Sequence, residues 1–176
     1  HKMLIVTTDR LSAFDVIMGE PIPFKGQVLT EMANFWFDYF KDIPNHLTHE
    51  NPENFVLPDE IDQIHGRAVV VKKLRPIPIE AIVRGYIIGS GWKEYQASQS
   101  ICNISLPKGL KQASKLPQAL FTPSNKADQG QHDENISLEH CRSLLGDDLT
   151  KTISEMSISI YIKASELAKA KGIIIA

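Results

Sequence analysis

Two prolines one residue apart, Pro76 and Pro78, interrupt the most strand-like region of this sequence. On one side Arg67 to Leu74 reads as a strand dominated by Val69, Val70 and Val71; on the other, Ile79 to Ile87 reads as a second strand. Proline fixes its own φ and has no N–H to give a neighbouring strand, so no continuous strand passes through Arg75-Pro76-Ile77-Pro78. The break predicts a connector between two lobes, with residues 1–74 in the first and 75–176 in the second.

The remaining elements follow from periodicity and punctuation. Residues 3–8 read as a buried strand, Thr8 to Ala13 as a polar loop, and Phe14 to Met18 as a second strand. From Gln27 to Phe40 the apolar positions Val28, Met32, Phe35, Trp36, Tyr39 and Phe40 recur at helical spacing, and that helix should end near Lys41, before Pro44. Residues 45–66 are rich in turn signals, and Gly89-Ser90-Gly91 reads as the turn that ends the strand before it. Residues 103–136 form a long polar stretch with little periodicity, a type of segment that is usually functional or disordered. Ser137 can cap a helix running to Leu145, with Gly146 past its end. Asp147 or Asp148 can cap the last helix, whose stripe is Ile153, Met156, Ile160, Ala164 and Leu167, and Gly172 stops it. The strand-like runs at both ends, Met3 to Thr8 and Ile173 to Ile175, lead us to expect a middle piece of a longer polypeptide. The order of elements is α+β, not a repeated βαβ pattern.

Composition narrows the function classes. The 176 residues carry a formal charge of −2, which excludes binding of a polyanion by bulk charge. No nucleic-acid partner is expected, and Lys108, Lys111 and Lys115 read as a solvated basic face. An apolar fraction of 43% is too high for a disordered chain, while no apolar run approaches the ~18 residues of a membrane span. Cys102 and Cys141 make no disulfide framework, so both read as small core residues in a reducing compartment. His46 and His49 lack the further ligands of a metal site.

Four segments hold chemistry-bearing side chains. In the strand after Pro78, Glu80, Ile82, Arg84 and Tyr86 alternate onto one face. Arg84 needs an anion if it is buried, and Glu80, about 13 Å away along a strand, cannot supply one directly. Gly89-Ser90-Gly91 could turn N–H groups and a hydroxyl toward a phosphate. Thr122 to Asn135 is dense in polar groups, with Lys126 suited to a phosphate and His132 and Asp133 suited to orienting an amine or carboxylate. Asp9 to Asp15 places polar groups at a strand end, with Arg10, Ser12 and Asp15 as the weaker candidates. Taken singly, each segment is more often structural: a solvated arginine, a simple turn, a solvated loop, or Asp and Ser satisfying turn backbone.

Together these segments resemble the SAICAR synthetase family of de novo purine synthesis, nearly end to end. Thr8-Asp9-Arg10-Leu11-Ser12-Ala13-Phe14-Asp15 is similar to its DRxSAFD segment. Pro78-Ile79-Glu80-Ala81-Ile82-Val83-Arg84 followed by Gly89-Ser90-Gly91-Trp92-Lys93-Glu94-Tyr95 resembles its first signature, departing from it at Ile88, where the family has Thr, Ser or Ala. Phe121 to Lys126 followed by His132-Asp133-Glu134-Asn135-Ile136 resembles its long polar loop. The family's D-x-K-x-E-F-G strand, which supplies acidic metal ligands, would follow Ala176, and its glycine-rich hairpin over the ATP phosphates would precede His1.

The resemblance implies a two-lobed fold: a kinase-like, ATP-grasp-like nucleotide lobe whose remainder is residues 1–74, and a substrate lobe in 75–176. It implies an ATP-dependent ligase, with Mg²⁺, that joins carboxyaminoimidazole ribonucleotide to the amine of L-aspartate as an amide, by way of an acyl phosphate. Arg84 and Ser90 would bind the ribonucleotide, with Arg10, Ser12 and Asp15 nearby. Lys126 and Glu80 would serve ATP, and the backbone near Lys73, Leu74 and Pro76 would face adenine as a kinase hinge does. His132 and Asp133 would act where aspartate enters. The metal ligands are expected outside these residues, which on their own should be inactive. The resemblance points to the cytoplasm and leaves a homo-oligomer open. Two rivals remain at this point: a small-molecule kinase of related fold, and a non-catalytic nucleotide-binding module.

Overall fold

A computed structural model describes residues 1–13, 16–126 and 134–176. The chain divides into two compact units, His1–Arg75 and Pro76–Ala176.

In the first unit, β1 (Lys2–Val6) pairs antiparallel with β4 (Ala68–Lys72), Leu4 opposite Val70. The valine run supplies most of this unit's buried apolar surface: Val70, Val71 and Ile64 are the buried hydrophobics among its described residues. Two short strands, β2 (Ser12–Ala13) and β3 (Val16–Ile17), form a hairpin, so only part of the expected Phe14–Met18 strand is present in the described residues. The predicted helix is α1 (Lys25–Tyr39). Its buried residues are the small Gly26 and Thr30, whereas Val28, Met32, Phe35 and Tyr39 are about half exposed. The apolar stripe gives the helix its period, and of its residues Trp36 and Phe40 are partly buried. The turn-rich region holds two single 3₁₀ turns, Pro52–Phe55 and Pro58–Glu60, followed by the short α2 (Ile61–Ile64).

The second unit is built on β6 (Val83–Tyr86) against β9 (Lys115–Phe121). The expected single strand from Ile79 to Ile87 is two strands, because β5 (Ile79–Glu80) leaves after two residues to pair with β10 (Ser124–Asn125). A register shift between Arg84 and Tyr86 also breaks the simple alternation expected across that face. Helix α3 (Gly89–Ser98) follows, then the hairpin β7 (Ser100–Ile101) and β8 (Ile104–Ser105). Cys102 and Asn103 form its turn, both with positive φ (51° and 64°), the geometry that matches strand twist in a two-residue hairpin. The polar stretch 103–136 therefore contains three strands among its described residues. Its central strand, β9, was hidden because Pro117 and Gln118 break the apolar run and its partner β6 is distant in sequence.

Helix α4 (Leu138–Leu145) starts as expected, with Ser137 Oγ accepting from the N–H of His140 at 3.1 Å. Helix α5 (Asp147–Ala170) starts one or two residues earlier than expected: Gly146, at φ 83°, takes the cap position, and Asp147 and Asp148 lie in the first turn, where their charge complements the helix dipole. Beyond Gly172 the Ile173–Ile175 run forms no strand. Tyr161 holds it by donating to the Ile175 carbonyl at 2.9 Å. Two apolar clusters form this unit's core, one around Ile87, Tyr95, Ile101, Cys102, Leu116 and Leu120, the other around Ile79, Phe121 and Cys141. No described helix is long and apolar enough to cross a membrane.

Candidate functional site

The second unit brings Arg84 and Ser90 together. Arg84 leaves β6 half-buried, and Ser90 sits in the first turn of α3. Arg84 Nη2 donates to Ser90 Oγ at 2.8 Å, and Nη1 approaches the Ile88 carbonyl at 3.5 Å. The expectation of a glycine turn is corrected here: Gly89-Ser90-Gly91 opens a ten-residue helix. Gly91 is closely approached: an added Cβ would come within 3.1 Å of Ile101 Cδ1 and 3.2 Å of the Arg84 Cδ and Nε, so those side chains would have to give by a few tenths of an ångström. Glycine thus lets the helix start lie against the guanidinium stem. A helix start carries unpaired N–H groups and partial positive charge, so Arg84 and α3 present the same sign to their surroundings.

Arg84 forms no ion pair among the described residues, and its buried Nε has no acceptor there. Burial pushes its pKa below the ordinary arginine value, while Cys102 and Glu94 nearby act in the opposite direction. The Cys102 thiol is pushed up to about 12, first by burial and then by Glu94, so it is a neutral neighbour and not a nucleophile.

Two further side chains join this site that the sequence did not single out. Ser90 Oγ lies 3.4 Å from Asn135 Oδ1, and Asn135 Nδ2 donates to Glu94 Oε2 at 2.8 Å. Glu94 Oε1 accepts from the N–H of Cys102 at 2.8 Å. The spacing of Ser90 and Glu94, one helical turn apart, was the available signal, but it appears only once 89–98 is read as helix. Asn135 arrives by backbone pairing: the Asn125 N–H meets the Glu134 carbonyl at 3.0 Å, and the Ile136 N–H meets the Pro123 carbonyl at 2.9 Å. The two roots of the polar segment are thereby held side by side.

The other expected site residues are distributed as follows. Glu80 is exposed and pairs with Ser124 across β5 and β10, and Lys126 is exposed just after β10. Pro76 is exposed at the start of this unit. In the first unit, Lys73 and Leu74 are exposed after β4, Ser12 is exposed in β2, and Arg10 is exposed with its Nε 3.3 Å from Thr8 Oγ1. Asp15, His132 and Asp133 lie outside the described residues. No group of three or more His, Cys, Asp or Glu converges among the described residues.

Comparison with known proteins gives this constellation its context. The family model for SAICAR synthetase matches residues 1–176. The chain is 55% identical over 176 residues to the phosphoribosylaminoimidazole-succinocarboxamide synthase of Chromobacterium violaceum, covering 99% of this chain and 62% of the relative. It is 58% identical to the synthase of the same name from Cupriavidus necator, covering 99% of this chain and 58% of the relative. The chain thus spans about three fifths of the length of these curated relatives. Among solved structures, the SAICAR synthase of Saccharomyces cerevisiae complexed with SAICAR superposes with a TM-score of 0.89 at 40% identity, over 99% of this chain and 60% of that one. The α+β architecture is that of these synthases, and the match along the whole sequence shows that the chain belongs to the SAICAR synthetase family.

Proposed function

We propose that this chain supplies the ribonucleotide-binding part, and some of the ATP-binding part, of an ATP-dependent ligase that joins carboxyaminoimidazole ribonucleotide to L-aspartate in purine biosynthesis. The observation that carries the reading is Arg84: half-buried, hydrogen-bonded to Ser90, and without a carboxylate partner among the described residues. A buried guanidinium with unused donors is costly until an anion arrives. The ribonucleotide brings one, and the neighbouring helix start favours the same charge.

A carboxylate is a poor acyl donor, so the chemistry runs in two steps. A ribonucleotide carboxylate oxygen takes the γ-phosphoryl group of ATP, giving an acyl phosphate and ADP. The aspartate amine then attacks the acyl carbon, the C–N bond forms, phosphate leaves with the C–O electron pair, and the amine gives up a proton. In this reading Arg84 and Ser90 hold the ribonucleotide, with Arg10, Ser12 and Asp15 in supporting roles. Lys126 neutralises ATP phosphate charge, Glu80 and the backbone at Lys73, Leu74 and Pro76 serve the nucleotide, and His132 and Asp133 handle the aspartate amine. Positioning and charge neutralisation carry such a reaction. We assign residues 1–74 to the ATP lobe and 75–176 to the substrate lobe. A cytoplasmic setting fits two buried free thiols.

The test uses the full polypeptide. Amide formation should require aspartate, ATP and the ribonucleotide together; ATP turnover with no need for aspartate would favour a small-molecule kinase instead. In calorimetry, Arg84→Ala should weaken ribonucleotide binding by at least ~1.5 kcal/mol, the scale of a charge-assisted hydrogen bond. Unchanged affinity refutes the role.

A further inference from the structure

The hydrogen bonds around Glu94 have a direction. Both its carboxylate oxygens accept, one from the Cys102 N–H and one from Asn135 Nδ2, each at 2.8 Å. An ionised carboxylate presents two acceptors and no donor, whereas a glutamine of the same shape presents one of each. With its NH₂ drawn to Glu94, the Asn135 amide must turn its oxygen to Ser90. The Ser90 hydroxyl then donates to Asn135, and its lone pairs are left to accept from Arg84 Nη2. The donors point one way throughout, from Arg84 to Ser90 to Asn135 to Glu94, and the hairpin turn at Cys102 locks the far end. The Ser90–Asn135 contact, at 3.4 Å, is the longest of these links.

We propose that Glu94 and Asn135 are positioning residues of the anion site: they fix Ser90 as the acceptor that holds Arg84, leaving the remaining guanidinium N–H groups to the ligand. The proposal rests on the reading that Arg84 and Ser90 bind the ribonucleotide. It goes beyond that reading by making binding depend on the donor–acceptor order of two residues that need not touch the ligand. The location of Asn135 adds to the argument, because it connects the far root of the polar segment to the start of α3 through side chains alone.

The experiment is a swap of polarity in the full polypeptide, read as separate KM values for the ribonucleotide and ATP. Glu94→Gln keeps the shape but loses one acceptor, so it must abandon Cys102 or Asn135 or else turn the Asn135 amide over and set its NH₂ against Ser90; each breaks the donor order, and the ribonucleotide KM should rise roughly three- to tenfold while the ATP KM stays within about twofold. Asn135→Asp sets two carboxylates against each other and should raise the ribonucleotide KM at least ~10-fold. Combining the two changes restores a donor at position 94 and an acceptor at 135, and should recover at least ~3-fold of that loss. A double variant no better than Asn135→Asp, or a ribonucleotide KM unmoved by Glu94→Gln, overturns the proposal. Should Asn135→Asp fail to fold, the near-isosteric Glu94→Gln carries the test alone. Arg84→Ala separates the two readings. If it leaves the ribonucleotide KM unchanged, the site itself is wrongly assigned. If it raises that KM while the Glu94 and Asn135 variants do not, only the positioning proposal fails.

Discussion

Asp9 uses both carboxylate oxygens to start a helix that begins sixteen residues later. Oδ1 accepts from the Gly26 N–H at 2.8 Å, and Oδ2 accepts from the Phe24 N–H and from Arg67 Nη2, both at 3.3 Å. Helix α1 needs this outside help because its own cap residue, Phe24, sits at φ 66° and offers no side-chain acceptor. These bonds, the one from Gly26 foremost, hold the Asp9 carboxyl below its ordinary value of 3.8. Asp9 therefore adds stability above that value, and the contribution is lost as pH falls through the lowered folded pKa. Melting temperatures taken from pH 7 down to pH 2 should show this decline, and Asp9→Asn should flatten that part of the profile. The DRxSAFD-like segment was legible as a unit, but not the role of Asp9, because its partners lie fifteen to fifty-eight positions away. Arg84 was legible as a candidate, and the structure adds that it is half-buried with no carboxylate partner among the described residues. Glu94 and Asn135 were not legible, because a hydrogen-bond chain linking residues 45 and 41 positions apart leaves no local pattern.

Ser137 is the clearest case of an element written in its own sequence. It stands just before an apolar-periodic run, and its hydroxyl caps α4. Ser137→Ala should cost about 1 kcal/mol in denaturant unfolding, as lost N-caps do. By contrast, α3 was missed because glycine is a poor helix former and two of its first three residues are glycines. The same economy of size recurs where β6 meets α5. An added Cβ at Gly85 would overlap the Tyr161 hydroxyl, so the strand and helix approach closely only through glycine. Gly85→Ala should destabilise the chain by ~1–3 kcal/mol, the usual cost of overpacking, and Tyr161→Phe in the same chain should recover part of the loss. Equal unfolding midpoints for Gly85→Ala and the parent would refute this packing.

Across the molecule, buried apolar surface is unevenly divided. Both apolar clusters lie in Pro76–Ala176, whereas His1–Arg75 buries Ile64, Val70 and Val71 among its described residues. Local opening is easiest where few apolar contacts oppose it. In hydrogen-exchange mass spectrometry the amides of β1 and β4 should exchange before those of β9 and α3; the reverse order would contradict this account. The boundary between the two units, Arg75 to Pro76, falls at the first of the two prolines. The unequal cores were not legible, because α1 is rich in apolar residues and the sequence does not show which of its faces are covered.

Within Pro76–Ala176, the two free cysteines make the two apolar clusters a chemical clock. Cys102 belongs to one apolar cluster and Cys141 to the other, and both are buried. With its thiol pushed up to about 12, Cys102 has almost no thiolate to offer an alkylating reagent while the chain is folded. Each sulfur is capped only after its own cluster opens, so the order in which the two adducts appear times the loss of each half of the core separately, with no reporter group added.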